Sequence, residues 1–283
     1  FAGLTETPEM DKDNAYAYRM EIARDTKQIS TNASYTEVGA SFNPEMGYLK
    51  RENYRKWSGR IFTRFRPENK FGLLEIRPHV NYDGYWKLDG FQESGRWHID
   101  NHWEFRSGFE IHTGTNLVKE GVIEVFEISD SVFVSAGTYD DQEIQIMIMT
   151  NKAKPISFSS MNRIGGFFGG DRINMTPTVR LRYKDRFTSE FSFNFNKVNL
   201  PDGNFTTNLV RARLTYSFTP KMYIQSLLQY NNQSDQWSMN WRFIWQRSAG
   251  TGLYLVYNQA QDYDGIPIEK STKSFVVKYS YLF

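Results

Sequence analysis

The sequence contains no cysteine, which removes disulfides, thiolate metal sites and cysteine nucleophiles together. No apolar run reaches the ~18–20 residues that a helix needs to cross a bilayer. No stretch holds a helical period long enough to compete with the strand pattern described below. Charge of one sign is also missing: 34 basic residues stand against 32 acidic ones, a net charge of +2. No basic run of the kind that tracks phosphates occurs, so nucleic acid is not an expected partner. A G-x-S-x-G elbow is absent. Gly165-Gly166 and Gly169-Gly170 precede no helix whose N-terminus could hold an anion, and read instead as aids to tight turning. Imidazole is scarce, with four histidines in all.

Aromatic residues are abundant. They make up 16% of the chain, with 17 Tyr, 22 Phe and 7 Trp. The mean hydropathy of −0.59 resembles that of a soluble protein. A transmembrane barrel gives the same value, because every second residue of its strands faces a polar interior.

The pattern is clearest from Arg96 to His112, R-W-H-I-D-N-H-W-E-F-R-S-G-F-E-I-H. Odd positions hold Trp97, Ile99, Trp103, Phe105, Phe109 and Ile111; even positions hold Arg96, His98, Asp100, His102, Glu104, Arg106, Glu110 and His112. A strand points successive side chains to opposite faces, so one face is oily and the other charged. Arg106-Ser107-Gly108 reads as a three-residue hairpin loop with Gly at the left-handed position, which pairs Phe105 with Phe109 and keeps the alternation in phase.

The pattern recurs along the chain. Residues 1–13 read as a polar lead-in and 14–283 as one β-domain. Strands are expected at 16–22, 29–38, 57–65, 74–82 (with an irregularity at Pro78), 144–148, 156–168, 175–183, 187–196, 210–218, 222–230, 237–245, 253–257 and 275–283. Longer polar connections fall at 42–56, 86–95, 115–138 and 261–272. With the hairpin at 96–112 the count is about fifteen, within a range of about 14–16 visible strands. The alternations run about 9–12 residues, the length a tilted strand needs to cross a bilayer. A soluble sandwich or propeller would show shorter strands of ~5–6 residues. The expected fold is an all-β, antiparallel up-and-down transmembrane barrel. An odd strand count, a chain starting at Phe1 rather than Met, and no signal peptide lead to the expectation that at least one strand and the export signal lie upstream.

Further segments carry a family resemblance. The terminal F-x-V-x-Y-x-Y-x-F (275–283) resembles the signal by which outer-membrane proteins are recognised for assembly. Together with A-S-Y-T-E-V-G-A-S-F-N-P-E-M-G-Y (33–48), F-F-G-G-D-R (167–172), N-L-P-D-G-N-F-T-T-N-L-V (199–210), L-Q-Y-N-N-Q-S-D (228–235) and L-V-Y-N (255–258), it makes the chain similar to the C-terminal barrel region of an uncharacterised bacterial family. Members of that family carry an N-terminal module similar to family-9 carbohydrate-binding domains. The resemblance implies the outer membrane of a Gram-negative bacterium, with lipid and the barrel assembly machinery as partners.

The expected function is a pore or transport-associated barrel without catalysis. Its lumen and selectivity residues would be Arg60, Arg64, Glu75, Arg96, His98, His102, Glu104, Arg180, Arg182, Glu190, Arg211, Arg213 and Arg242. Membrane-interface aromatics would be Trp57, Trp97, Trp103, Trp237, Trp241, Trp245, Tyr279, Tyr281 and Phe283. A non-conducting scaffold is the alternative, its loops 42–56, 115–138 and 261–272 holding glycan or an envelope protein. A barrel-embedded hydrolase is the third reading. No cofactor is expected. His98 and His102 sit four apart on a strand, about 13 Å at ~3.3 Å per residue, too far to share a zinc ion by backbone spacing. Asp262, Asp264 and Glu269 could donate oxygens to Ca²⁺ but lack the full ligand spacing of an EF-hand loop, so an ordinary polar loop is the reading kept.

Overall fold

A computed structural model describes residues 1–7, 13–68, 70–262 and 271–282, with only the backbone of Asp262. The chain opens with β1 (Ala2–Leu4), β2 (Tyr16–Asp25), β3 (Ile29–Val38), β4 (Tyr54–Thr63), β5 (Leu73–Lys87), β6 (Gln92–Phe105) and β7 (Glu110–Val122). A short pair, β8 (Phe126–Ser129) and β9 (Val132–Val134), precedes β10 (Gly137–Met149), β11 (Ile156–Phe167), β12 (Gly170–Tyr183) and β13 (Phe187–Leu200). The chain continues through β14 (Gly203–Thr219), β15 (Met222–Asn231), β16 (Gln236–Ser248), β17 (Thr251–Asp262) and β18 (Ser271–Ser280). All except β8 and β9 belong to one 16-stranded sheet, in which each strand pairs antiparallel with the next and β7 pairs with β10. Among the described residues the sheet is open, with β1 and β18 as its edges. The expected all-β, up-and-down order is what forms.

Parity sets the faces. Trp97 pairs with Tyr82 and Leu117, and Phe193 with Val210, so apolar residues meet apolar ones on one side. On the other side His79 pairs with Asp100, and Glu190 pairs with Arg180 and Arg213. Burial is inverted relative to an ordinary globular core. Asp100, Glu143 and Glu75 are 4%, 5% and 6% exposed, whereas Ile144, Ile61 and Trp97 are 57%, 59% and 48% exposed. Burying a charged group costs several kcal/mol unless it is paired, so the polar face must satisfy itself. Among the described residues, the apolar face has no second layer against it.

The turns follow from their residues. Gly108 takes a left-handed φ of 81° and its N–H donates to the Phe105 carbonyl at 2.9 Å; the Phe105 N–H donates to Phe109 at 2.9 Å. The expected three-residue hairpin and the Phe105–Phe109 pairing are therefore present. Between β11 and β12, Phe168 and Gly169 both have positive φ (49° and 75°), the requirement of a two-residue type I′ turn. The reversal thus falls one residue before the tight loop expected at 169–172. At Pro78, which has no N–H to give, the β4–β5 ladder stops at Phe62–His79 and resumes in the same register as the isolated Phe65–Ile76 bridge.

Other boundaries differ from expectation. Ala2–Leu4 is not part of an unstructured lead-in: it pairs with Tyr16–Tyr18, closed by Arg19 N–H to Phe1 O and Thr5 N–H to Ala15 O, both 2.9 Å. The connection expected at 115–138 shrinks to 123–136, because β7 and β10 extend along each other as far as Val122 and Gly137. What remains folds as the β8–β9 hairpin, docked by Phe133 N–H to Asp202 Oδ2 at 2.8 Å, with Val132 and Val134 buried. The loop expected at 86–95 is a link at 88–91, and β4 begins at Tyr54 inside the loop expected at 42–56. Of the connection expected at 261–272, residues 263–270 lie outside the described residues. The expected contrast between short turns at one end and long loops at the other holds at 39–53 and 123–136 but fails at β5, where the link 88–91 at the loop end is shorter than the connection 64–72 at the turn end. Farther along, long strands replace long loops: β14 spans 17 residues and begins after the two-residue turn 201–202.

Candidate functional site

The polar face of β5, β6, β7 and β10 gathers all four histidines of the chain. Register does this: His79 pairs with Asp100, Asn81 with His98, Arg77 with His102, and His102 with His112. The rings form a ladder across the strands. Phe62 lies 5.5 Å from His79, His79 meets His102 edge-on at 4.8 Å, and His102 stacks on His112 at 3.4 Å. Asp100 is enclosed by this ladder. Its Oδ2 lies 3.4 Å from His98 Nε2 and 3.5 Å from His102 Nε2, while its Oδ1 is buried without a hydrogen-bond partner. His98 and His102 therefore reach one carboxylate oxygen from either side. The 13 Å backbone estimate does not govern them, because both side chains lean along the strand toward the residue between them.

Around this centre the charges are paired. Arg77 bridges Glu110, Glu104 (3.5 Å) and Glu75 (3.8 Å), and Arg66 holds Glu75 at 2.7 Å. His112 Nε2 lies 2.7 Å from Glu110. A second line runs from His98 Nδ1 to Asn116 Oδ1 (2.6 Å), from Asn116 Nδ2 to Glu143 (2.8 Å), and from Arg172 to Glu143 (2.7 Å). Asn116 is fully buried, and these bonds compensate its side chain for lost water.

The sequence-expected lumen residues that lie in strands fall on the polar face by register, most of them in two groups, with Arg242 apart on β16. Glu75, His98, His102 and Glu104 join the histidine ladder. Arg60 and Arg64 lie beside it, flanking the Phe62 ring at 4.5 and 4.9 Å, and Arg96 pairs in register with Asp83. Arg180, Arg182, Arg211 and Arg213 form a separate basic group with Glu190 on β12–β14. Among the described residues no ion pair within 4.0 Å reaches these arginines, and Arg211 Nε is buried without a partner. Arg182 instead donates to the Ala153 carbonyl at 2.6 Å, and Arg242 to Asn240 at 2.6 Å.

The expected interface aromatics fall on the apolar face. Trp57, Trp245 and Tyr279 are exposed at 53%, 44% and 65%, Trp97 packs on Tyr82 at 4.6 Å, and Trp103 donates to Thr113 Oγ1 at 3.2 Å. Trp103, Trp245 and Tyr279 lie toward the turn end of the sheet. Trp57, Trp97 and Trp237 lie toward the other end, and Trp241 falls between. Tyr281 is exposed beyond β18. Phe283, Asp264, Glu269 and the Asp262 side chain lie outside the described residues.

Two sets of side chains bring three ligand atoms within 4.8 Å of one another: His79, Asp100 and His102, and His102, Glu110 and His112. Among the described residues no hydroxyl bonds to any histidine; the partners are the Arg77 carbonyl, Asn116 and Glu110. The histidine–carboxylate contacts thus lack the adjacent serine nucleophile of a triad.

Residues 3–215 match a protein family described as a domain of unknown function (DUF5916). The chain belongs to this family. No curated protein matches it. The DUF5916 match runs from β1 into β14 and takes in the whole histidine ladder as well as Arg180, Arg182, Glu190, Arg211 and Arg213. The motifs at 33–48, 167–172 and 199–210 lie inside it, which agrees with their resemblance to an uncharacterised family; those at 228–235 and 255–258 lie beyond it.

Asp100, Glu110, His79, His112 and Glu143 were not marked by sequence reasoning as members of one site. The signal for His79 and His112 was available: His112 shares the even parity of His98 and His102, and His79 sits on the polar, odd face of its own strand with Glu75 and Arg77. What parity does not give is the cross-strand offset, which depends on the lengths of the turns at 88–91 and 106–109.

Proposed function

We propose that this chain is an outer-membrane β-barrel domain of a Gram-negative bacterium, working as a pore or transport-associated barrel with a charged lumen and without catalysis. One observation carries the reading: a single-layer sheet of long strands that exposes its aromatic and aliphatic side chains and buries its charged ones. Fully burying an Ile or Phe is worth about 1.5–3 kcal/mol, and a sheet normally covers its apolar face with another layer. Lipid supplies that cover for every strand at once. Backbone groups in lipid must also be satisfied internally, which a meander achieves when it closes. The aromatic alternation of β18 supports delivery by the barrel assembly machinery.

In this reading the lumen carries two unlike walls. The β5–β10 wall is histidine-rich and paired. The β12–β14 wall presents four arginines against Glu190 and draws anions. Planar-bilayer recordings of the purified protein test the pore: discrete conductance steps with anion preference are expected, and a closed trace under all voltages sinks the open-pore reading. A scaffold that binds glycan or an envelope protein is the second reading, favoured by the β8–β9 hairpin, which is a folded protrusion rather than a slack loop. Its test is co-purification from detergent-solubilised envelopes, with loss of the partner when residues 123–136 are deleted.

A further inference from the structure

We propose that His79, Asp100 and His102 bind a divalent first-row transition cation of the zinc class on the polar face of β5 and β6. The three residues offer two imidazole nitrogens and one carboxylate oxygen within 4.8 Å of one another. His79 and Asp100 are buried at 7% and 4% exposure. The decisive group is Asp100. Its side chain is 1% exposed and its Oδ1 has no hydrogen-bond partner. Among the described residues, no lysine or arginine lies within 4.0 Å of it; only His98 and His102 do. A buried carboxylate left in that state is costly, and such groups are paired or coordinate metals.

The imidazoles are oriented for the second outcome. His79 Nδ1 lies 3.2 Å from the Arg77 carbonyl oxygen, an acceptor, so Nδ1 carries the proton and Nε2 keeps its lone pair. His98 Nδ1 faces Asn116 Oδ1 at 2.6 Å, while Asn116 Nδ2 is committed to Glu143. In the neutral ring its Nε2 lone pair then faces Asp100 Oδ2 at 3.4 Å. A lone pair facing a carboxylate oxygen is repelled unless a proton or a metal cation lies between them. The carbonyl oxygen behind His79 and the amide oxygen behind His98 are the outer support that metal-binding histidines use.

The spacing fits a borderline metal. With Zn–N bonds of about 2.0–2.1 Å, the edge of a tetrahedron is about 3.3–3.4 Å; His102 Nε2 and Asp100 Oδ2 already lie 3.5 Å apart. Imidazole nitrogens disfavour Ca²⁺ and Mg²⁺, which take oxygen ligands. Three protein ligands leave a fourth position for water or an anionic ligand, or for His98, 5.2 Å from His79 ring to ring. The neighbouring set at His102, Glu110 and His112 is a poorer host, because the Arg77 guanidinium pairs with Glu110 and would sit beside the ion.

The test is titration of the chelator-stripped, detergent-purified full chain with Co²⁺, followed by displacement with Zn²⁺. One Co²⁺ per chain is expected, with the visible absorption bands of a low-coordinate site. Removing outer support costs metal sites about 10–100-fold in affinity, so losing a ligand should cost more than ~100-fold. That loss is expected for His102→Ala and Asp100→Asn, while Glu110→Gln changes affinity by only a few-fold. X-ray absorption of the zinc-loaded wild-type chain, which needs no variant to fold, should show two or three imidazole ligands. No saturable Co²⁺ binding, a spectrum without imidazole, or full affinity in a His79→Ala/His102→Ala chain would overturn the proposal.

Discussion

Replacing Ile99 by arginine separates a lipid-facing sheet from a water-facing one. Ile99 lies near the middle of β6 on the apolar face, paired with Val80 and Thr115, and is 43% exposed. If that exposure is to water, a surface substitution costs within about 0.5 kcal/mol. If it is to the bilayer midplane, arginine on the lipid face of a barrel costs about 2–4 kcal/mol. At 1.4 kcal/mol per factor of ten, that range is roughly a 30- to 700-fold fall in the folding equilibrium. The cost should depend on depth: Tyr279→Arg, near the turn end of β18, is expected to cost only about 0–1 kcal/mol. Urea-dependent folding into phospholipid vesicles, followed by tryptophan fluorescence, measures both. A loss below ~0.5 kcal/mol for Ile99→Arg, or equal losses at the two depths, would refute the reasoning.

Asn116→Ala removes the partner of the buried His98 imidazole and should cost about 1–3 kcal/mol in the same urea assay, whereas Glu143 keeps Arg172. Gly108→Ala forces a left-handed backbone at φ 81° and sets a methyl group against the Asn151 side chain. A loss of about 1–2 kcal/mol is expected, and an unchanged midpoint would show that the turn tolerates a side chain. Replacing Arg180, Arg182, Arg211 and Arg213 together by glutamine leaves Glu190 as the only formal charge of that group. The reversal potential under a salt gradient should then shift toward cation preference, and an unmoved potential would place the group away from the ion path.

Strand identity was legible because parity is a local property. Phe191 to Asn196 alternates without a break, and β13 forms over it. The same rule placed Arg180 and Arg213 on one face before any register was known. Parity fails where strands are too short or too plain to show a period. Ala2–Leu4 has only three residues, and H-T-G-T-N at 112–116 alternates small and polar groups with little contrast, which hid the continuation of β7. The β8–β9 hairpin was invisible for another reason: its strands answer to tertiary contacts with Asp202 and Phe168, not to their own alternation. The histidine ladder was half legible. Within-strand spacing argued against a shared ion for His98 and His102, while the geometry that matters runs across strands, where His79, Asp100 and His102 meet.

The central claim, that the apolar face meets lipid and the charged face meets water, is tested most directly by paired labels on one strand. Because the chain has no cysteine, Phe193→Cys and Asn194→Cys each give a single attachment point for a fluorophore at adjacent, opposed positions of β13. In reconstituted vesicles the label at 193 should be quenched by a lipid-confined quencher and spared by an aqueous one, and the label at 194 should show the reverse. Equal access of the aqueous quencher to both positions would contradict the account.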